Sequence, residues 1–275
     1  LRYTPHGWLK GLHHGIPFDP DRMAAYHDRK AKAEGVEVLL HTKAVDVVRE
    51  DERITQVILF NKSGLQAIAP RVVIDATGDA DLAARAGCAF DKGDETGAMT
   101  PVTLEVHVSH VDQAALSDYI HAHDEPRLRK HIESLRAQGE WPQDVDIFIC
   151  VQLDEPGTMM LNTTRVCGCD GTDGASVSAA TQQGRAEIEA LLACIRKHFP
   201  GFARARIKAT APLLGVRETR RIHGLYRLTV EDVAGGRAFA DTIGFSSYGW
   251  DLADPKRPSL QPFHGKPKPP VTPRS

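Results

Sequence analysis

Two stretches of this chain combine residue types that could do chemistry. Arg217-Glu218-Thr219-Arg220-Arg221 is its densest charged cluster. A guanidinium is a rigid fork of donors that keeps its charge and matches a carboxylate or a phosphate. Facing a cleft, Arg217 and Arg220 could hold an anionic substrate or stabilise charge that develops during reaction. The competing reading is that Glu218 pairs with the arginines and locks a junction. On a strand Arg217 and Arg220 would point to opposite faces; on a helix they would share one. The second stretch is Val72–Leu82, VVIDATGDADL. An apolar run, a turn of small residues and a helical pattern read as a buried strand, Val72–Asp75, followed by a turn and a helix with Asp79 as N-cap. Small residues let the backbone approach a ligand closely, and a helix N-terminus carries partial positive charge. Ala76, Thr77, Gly78 and Asp79 thus have the pattern of a nucleotide site in an open α/β fold. The alternative is a βα turn that uses Thr-Gly for geometry alone.

Other reactive side chains point less clearly. His107 and His110 lie three apart on a strand-like run and face opposite ways, which argues against a shared metal. His121 and His123 with Asp124 could approach a metal, but solvated surface histidines are the simpler reading. No metal site is expected. The 5 cysteines, Cys88, Cys150, Cys167, Cys169 and Cys194, are odd in number and irregularly spaced, which suits reduced structural thiols rather than a disulfide framework. One C-x-C pair is a poor zinc signature.

These residues must be positioned by an ordinary globular scaffold. The 275 residues suffice for one large or two modest domains, and 41% hydrophobic with 25% charged residues is a common balance. A net charge of -2 gives no electrostatic case for nucleic acid. No apolar run approaches the roughly 20 residues that span a bilayer, so no membrane partner is expected. The first residues lack the apolar centre of a secretory signal, and a cytoplasmic location is the expectation. No feature specifies an oligomeric state.

Along the chain, Asp19 and Pro20 open a helix that Gly35 stops. Val36–Leu40, Ala44–Arg49 and Ile54–Phe60 read as strands, the first of parallel type, and Asn61–Gly64 as a hairpin turn leading into Gln66–Ala69. The stretch 90–100, rich in Gly, Asp and Glu, reads as a domain crossing, and Val102–Val108 as a strand. Helices are expected over Asp112–His121 and Pro126–Gln138, and strands over Asp146–Gln152 and Met159–Arg165. Asp173 caps a long helix with an apolar stripe at Ile188, Leu191, Leu192 and Ile195. Ile207–Leu213 is a strand candidate, Thr229 starts a short helix, and an extended tail follows from Asp254.

Gly35–Val48, Asn61–Gly64 and Val72–Gly87, with Leu161–Val166, Asp170–Asp173 and Gly215–Val233 downstream, resemble the FAD-dependent oxidoreductase family, in family order. The resemblance runs from about Gly15 to the end. It implies an α/β (α+β overall) fold: a partial Rossmann-like FAD-binding domain over 1–92, a mixed-sheet substrate domain over 93–250, and an extended tail over 251–275. It implies FAD as cofactor, a small-molecule substrate, and substrate oxidation by hydride transfer to flavin. Ala44 falls where related flavoproteins make a main-chain contact to adenine, and Met99–Thr103 resembles a segment beside the isoalloxazine. The Arg217–Arg221 cluster corresponds to a motif on the flavin side of the substrate domain.

Family members begin with a Gly-rich turn that cradles the pyrophosphate and end with a second Gly-rich flavin contact. This sequence contains no G-x-G-x-x-G and no initiating Met. The expectation is therefore a fragment of such an enzyme that cannot hold FAD alone. The alternative is a non-catalytic binding or interaction fragment. Asp79 and Asp81 would repel a phosphate, so the 76–79 turn is expected to border the adenosine or ribose side of FAD.

Overall fold

The computed structural model describes residues 19–125, 127–153 and 155–244. The extended tail expected from Asp254 lies outside the described residues. Helix α1 (Pro20–Ala33) starts where the sequence places it, with the Asp19 carboxylate accepting from the Asp21 and Arg22 amides. Gly35 leaves the helix at φ +69°, a conformation that suits glycine.

Strands β1 (Lys43–Glu50), β2 (Arg53–Asn61) and β3 (Gly64–Ile68) form an antiparallel meander in that order. The Asn61 side chain accepts from the Ser63 amide and sets the tight β2–β3 turn. Val57 and Leu59 face inward and pack with Leu82, flanked by Ala44, Val47, Ile54 and Val73.

Two expected strands do not form. Val36–Leu40 and Val72–Asp75 are unpaired, and Val72 and Ile74 are 78% and 86% exposed. An apolar run has strand character only when a neighbour satisfies its N–H and C=O groups, and neither run has one among the described residues. Asp75 belongs instead to the cap of the following helix, α2 (Asp81–Arg85).

The main hydrophobic core lies further along the chain. A sheet in the order β6-β7-β5-β8 is built from β5 (Val106–Ser109), β6 (Cys150–Gln152), β7 (Met159–Leu161) and β8 (Arg206–Thr210). Helices α3 (Gln113–His123), α4 (Arg129–Ala137) and α5 (Gly174–His198) contribute Leu116, Ile120, Ile132, Leu135 and Leu191 to that core, around Phe148 and Phe202. The stripe Ile188, Leu191, Leu192, Ile195 is buried as its spacing predicts. Asp173 caps α5 through the Ser176 amide.

Every pairing in this sheet is antiparallel, where a mixed sheet was expected. A parallel neighbour needs a long crossover, whereas β6 and β7 join through the short turn at Glu155-Pro156-Gly157. The fold thus combines helices with antiparallel sheets. No helix among the described residues is long and apolar enough to cross a membrane.

A two-stranded ribbon completes the architecture. β4 (Phe90–Lys92) pairs with β9 (Arg220–Ile222), so the stretch expected as a crossing is tied to the arginine cluster. Helix α6 (Val230–Ala234) follows, with a capping box between Thr229 and Asp232.

Candidate functional site

The two motifs singled out in the sequence meet. The Thr219 hydroxyl donates to the Asp79 carboxylate at 2.8 Å, and Arg220 donates from Nη1 to the Asp79 carbonyl and to Asp81 Oδ1, each at 2.8 Å. The Arg220 guanidinium also lies 5.5 Å from the centroid of the Phe90 ring. Its side chain is only 15% exposed. Arg220 therefore joins the 75–81 turn to the β4–β9 ribbon.

The turn is built from its own polar side chains. Asp75 Oδ1 accepts from the Thr77 amide and hydroxyl, and Oδ2 accepts from the Ala83 amide at 2.9 Å. Thr77 Oγ1 in turn accepts from the Asp81 amide. Burial opposes ionisation of Asp75, but the amides of Ala83, Thr77 and Leu82 and the Thr77 hydroxyl outweigh it, and its pKa lies below the ordinary value.

Asp79 is not the N-cap. Ala80 holds that position in the left-handed region at φ 53°, without a side-chain cap bond. Asp75 and Thr77 satisfy the first amides of α2, while Asp79 reaches across to Thr219. The left-handed step at Ala80 turns Asp79 away from the helix. Replacing Ala80 by glycine is expected to stabilise the protein by about 0.5–1 kcal/mol, because the strain of a Cβ at positive φ exceeds the entropic cost of glycine. A lowered urea midpoint for Ala80→Gly would contradict it.

Ala76, Thr77 and Gly78 are exposed at the tip of this turn. A Cβ placed on Gly78, at φ +84°, would meet nothing within 4 Å. The backbone at the tip is open to a ligand. Three carboxylates, Asp75, Asp79 and Asp81, cluster behind it. Ala44 sits on β1 opposite Leu59, partly buried against the Val57–Leu59–Leu82 cluster.

The rest of the arginine cluster divides its work. Glu218 Oε1 accepts from both the amide and the hydroxyl of Thr100, and Oε2 from Arg221. Arg221 also donates to the Gly93 carbonyl. This is the junction lock that the charge pattern allowed. Arg217 stands apart, exposed, with Nη2 3.4 Å from Thr103 Oγ1.

The segment 99–103 lies between two chain stretches. Val102 forms an antiparallel bridge with Val166, and Thr103 with Gly215. Met99, Thr100, Val102 and Thr103 are all buried. Arg165, which carried no charge pattern in the sequence, donates from Nη1 to Thr103 Oγ1 at 3.0 Å and to Asn162 Oδ1 at 3.1 Å. Gly171 permits the close approach of the 216–219 stretch: a Cβ there would lie 2.6 Å from Val216 Cγ1 and 2.8 Å from Thr219 Cγ2.

The remaining candidates do not gather around this junction. His121 and His123 bond through Nδ1 to the carbonyls of Ser117 and Tyr119 one helical turn back. Among the described residues no group of three His, Cys, Asp or Glu could hold a metal. The five cysteines are free. Burial raises the thiol pKa of Cys169, and of Cys167 with help from Asp144 and Glu187, which makes both poor nucleophiles.

A family model described as FAD dependent oxidoreductase covers residues 2–272. No curated protein matches the chain, and no solved structure matches it.

Proposed function

The chain belongs to the FAD dependent oxidoreductase family, whose cofactor is FAD, and on that premise we propose that it serves substrate oxidation by hydride transfer to flavin. The observation that carries this reading is the direct bonding of Thr219 and Arg220 to Asp79 and Asp81. It joins a turn open to a nucleotide with an arginine-bearing segment suited to an anionic substrate.

The 76–79 turn fits one edge of FAD and not all of it. Its open tip at Gly78 admits close main-chain contact, while the carboxylates of Asp75, Asp79 and Asp81 disfavour a diphosphate at the same point. In this reading Ala76, Thr77, Gly78 and Asp79 border the ribose or adenine, and Ala44 offers a main-chain contact to adenine. The pyrophosphate cradle of a Rossmann-like site requires glycines that this sequence does not contain, and we read the chain as the middle of a larger flavoenzyme.

The same reading assigns the chain up to residue 92 to a partial Rossmann-like FAD-binding domain and 93–250 to a substrate domain; the expected 251–275 tail lies outside the described residues. Bound FAD supplies the two-electron acceptor. The protein's own residues bind and orient: Arg217 meets charge on a small-molecule substrate, and Arg220 acts from behind by fixing the 79–81 turn against the ribbon. Met99–Thr103 forms the floor between them.

Expression of the complete gene tests this. The purified protein is expected to be yellow, with near-stoichiometric flavin after gel filtration, and its flavin should bleach anaerobically with substrate. A colourless protein, or one whose flavin dissociates freely, would overturn the proposal.

A further inference from the structure

We infer that Arg165 and Arg217 bracket Thr103 to form an anion subsite that takes a carboxylate of the substrate. The inference deepens the flavoenzyme reading and rests on it. The segment 102–103 is bridged on one side by Val166 and on the other by Gly215. Each flanking stretch sends one arginine over the same hydroxyl: Arg165 Nη1 lies 3.0 Å and Arg217 Nη2 3.4 Å from Thr103 Oγ1.

Two guanidiniums sharing one neutral acceptor repel each other, and an anion seated between them relieves that repulsion. The two have different characters. Arg165 is held in place by Asn162 and by the Thr164 carbonyl at 2.7 Å, a fixed rear cation. Arg217 is exposed and reaches Thr103 from the front. Thr103 is 3% exposed, so its hydroxyl is a buried anchor that accepts from both guanidiniums.

The neighbouring carboxylates set the charge of the ligand. Glu187 accepts from the Arg165 amide and from Gln183, and Asp144 and Glu187 both act on Cys167 alongside Arg165. Glu218, next to Arg217 in sequence, is turned toward Thr100 and Arg221. These acids offset part of the two positive charges. The forked donors match a planar carboxylate, and with acids already close to Arg165 a monoanion is the ligand we assign here.

Propionate, its neutral analogue propionamide and inorganic phosphate are suitable probes, titrated calorimetrically into the flavin-loaded protein at constant ionic strength. Propionate should bind and should protect Arg217 from phenylglyoxal, read by peptide mass spectrometry. Arg217→Lys should weaken propionate at least tenfold, and Arg165→Lys at least threefold. Should Arg165→Lys fail to fold, phenylglyoxal labelling of Arg165 in the wild-type protein replaces it: propionate should protect Arg165 as well, and labelling unchanged by propionate would overturn its part in the subsite. Equal binding of propionamide, phosphate bound tenfold more tightly than propionate, or an unchanged affinity in Arg217→Lys would each overturn the subsite. Flavin content is read separately by absorbance: a flavin-free wild-type protein overturns the enzyme reading, while calorimetry on that same protein still reports on the arginine pair.

Discussion

Replacing Arg220 by alanine is expected to lower stability by about 2–3 kcal/mol and to uncouple the 75–81 turn from the β4–β9 ribbon. Three contacts vanish together: the bond to the Asp79 carbonyl, the ion pair with Asp81, and the packing over Phe90. Breaking a fully buried pair costs about 3–5 kcal/mol, because the abandoned charge stays desolvated. Here the Asp81 side chain is 40% exposed, so water recovers part of the loss. Arg220→Lys should recover only part of the deficit: an ammonium can donate to both the Asp79 carbonyl and Asp81, as Nη1 does, but it lacks the planar guanidinium that lies over Phe90. Arg217→Ala, at an exposed site, should change the urea midpoint hardly at all. Equal midpoints for Arg220→Ala and wild type would show that the latch holds nothing.

This contrast between two arginines three residues apart was not legible in the sequence. Both belong to one charged run, and local spacing left strand and helix open. What separates them is the partner. Asp79 lies 140 residues upstream of Thr219, and no local pattern links the two motifs. Arg165 was missed for a related reason: it sits alone in LNTTRV, and its significance comes from a bridge between Val102 and Val166 that no local pattern encodes. Helices α1 and α5 were readable because their signals are local. Asp19, Pro20 and Gly35 bound the first, and Asp173 with an apolar stripe defines the second. The strands expected at 36–40 and 72–75 failed because a strand is a property of a pair, and apolar periodicity reports only one member.

The turn itself gives the other large effect. Asp75→Ala is expected to cost about 2 kcal/mol and to reduce FAD affinity at least tenfold in the complete flavoprotein. The carboxylate anchors both ends of the turn, holding the Thr77 amide and hydroxyl with one oxygen and the Ala83 amide with the other. Those bonds hold a turn in which Gly78 takes φ +84°, a conformation that suits glycine, and Ala80 takes φ 53°, where a Cβ is strained. Bonds to a charged acceptor contribute more than neutral ones, and without them a left-handed alanine has little to hold it. Asp75→Asn tests the anchor at constant size: the amide nitrogen cannot accept from Ala83, so it should recover only the Thr77 side. The pH dependence follows from the direction of the shift. The folded pKa of Asp75 is below its ordinary value, so its contribution is complete above the unfolded pKa and fades as pH falls toward the folded one. Wild type should therefore lose more stability than Asp75→Ala on acidification below about pH 4. If Asp75→Ala keeps its flavin through gel filtration and follows the wild-type acid limb, the turn is not preorganised by this carboxylate, and the adenosine edge must be sought elsewhere on the chain.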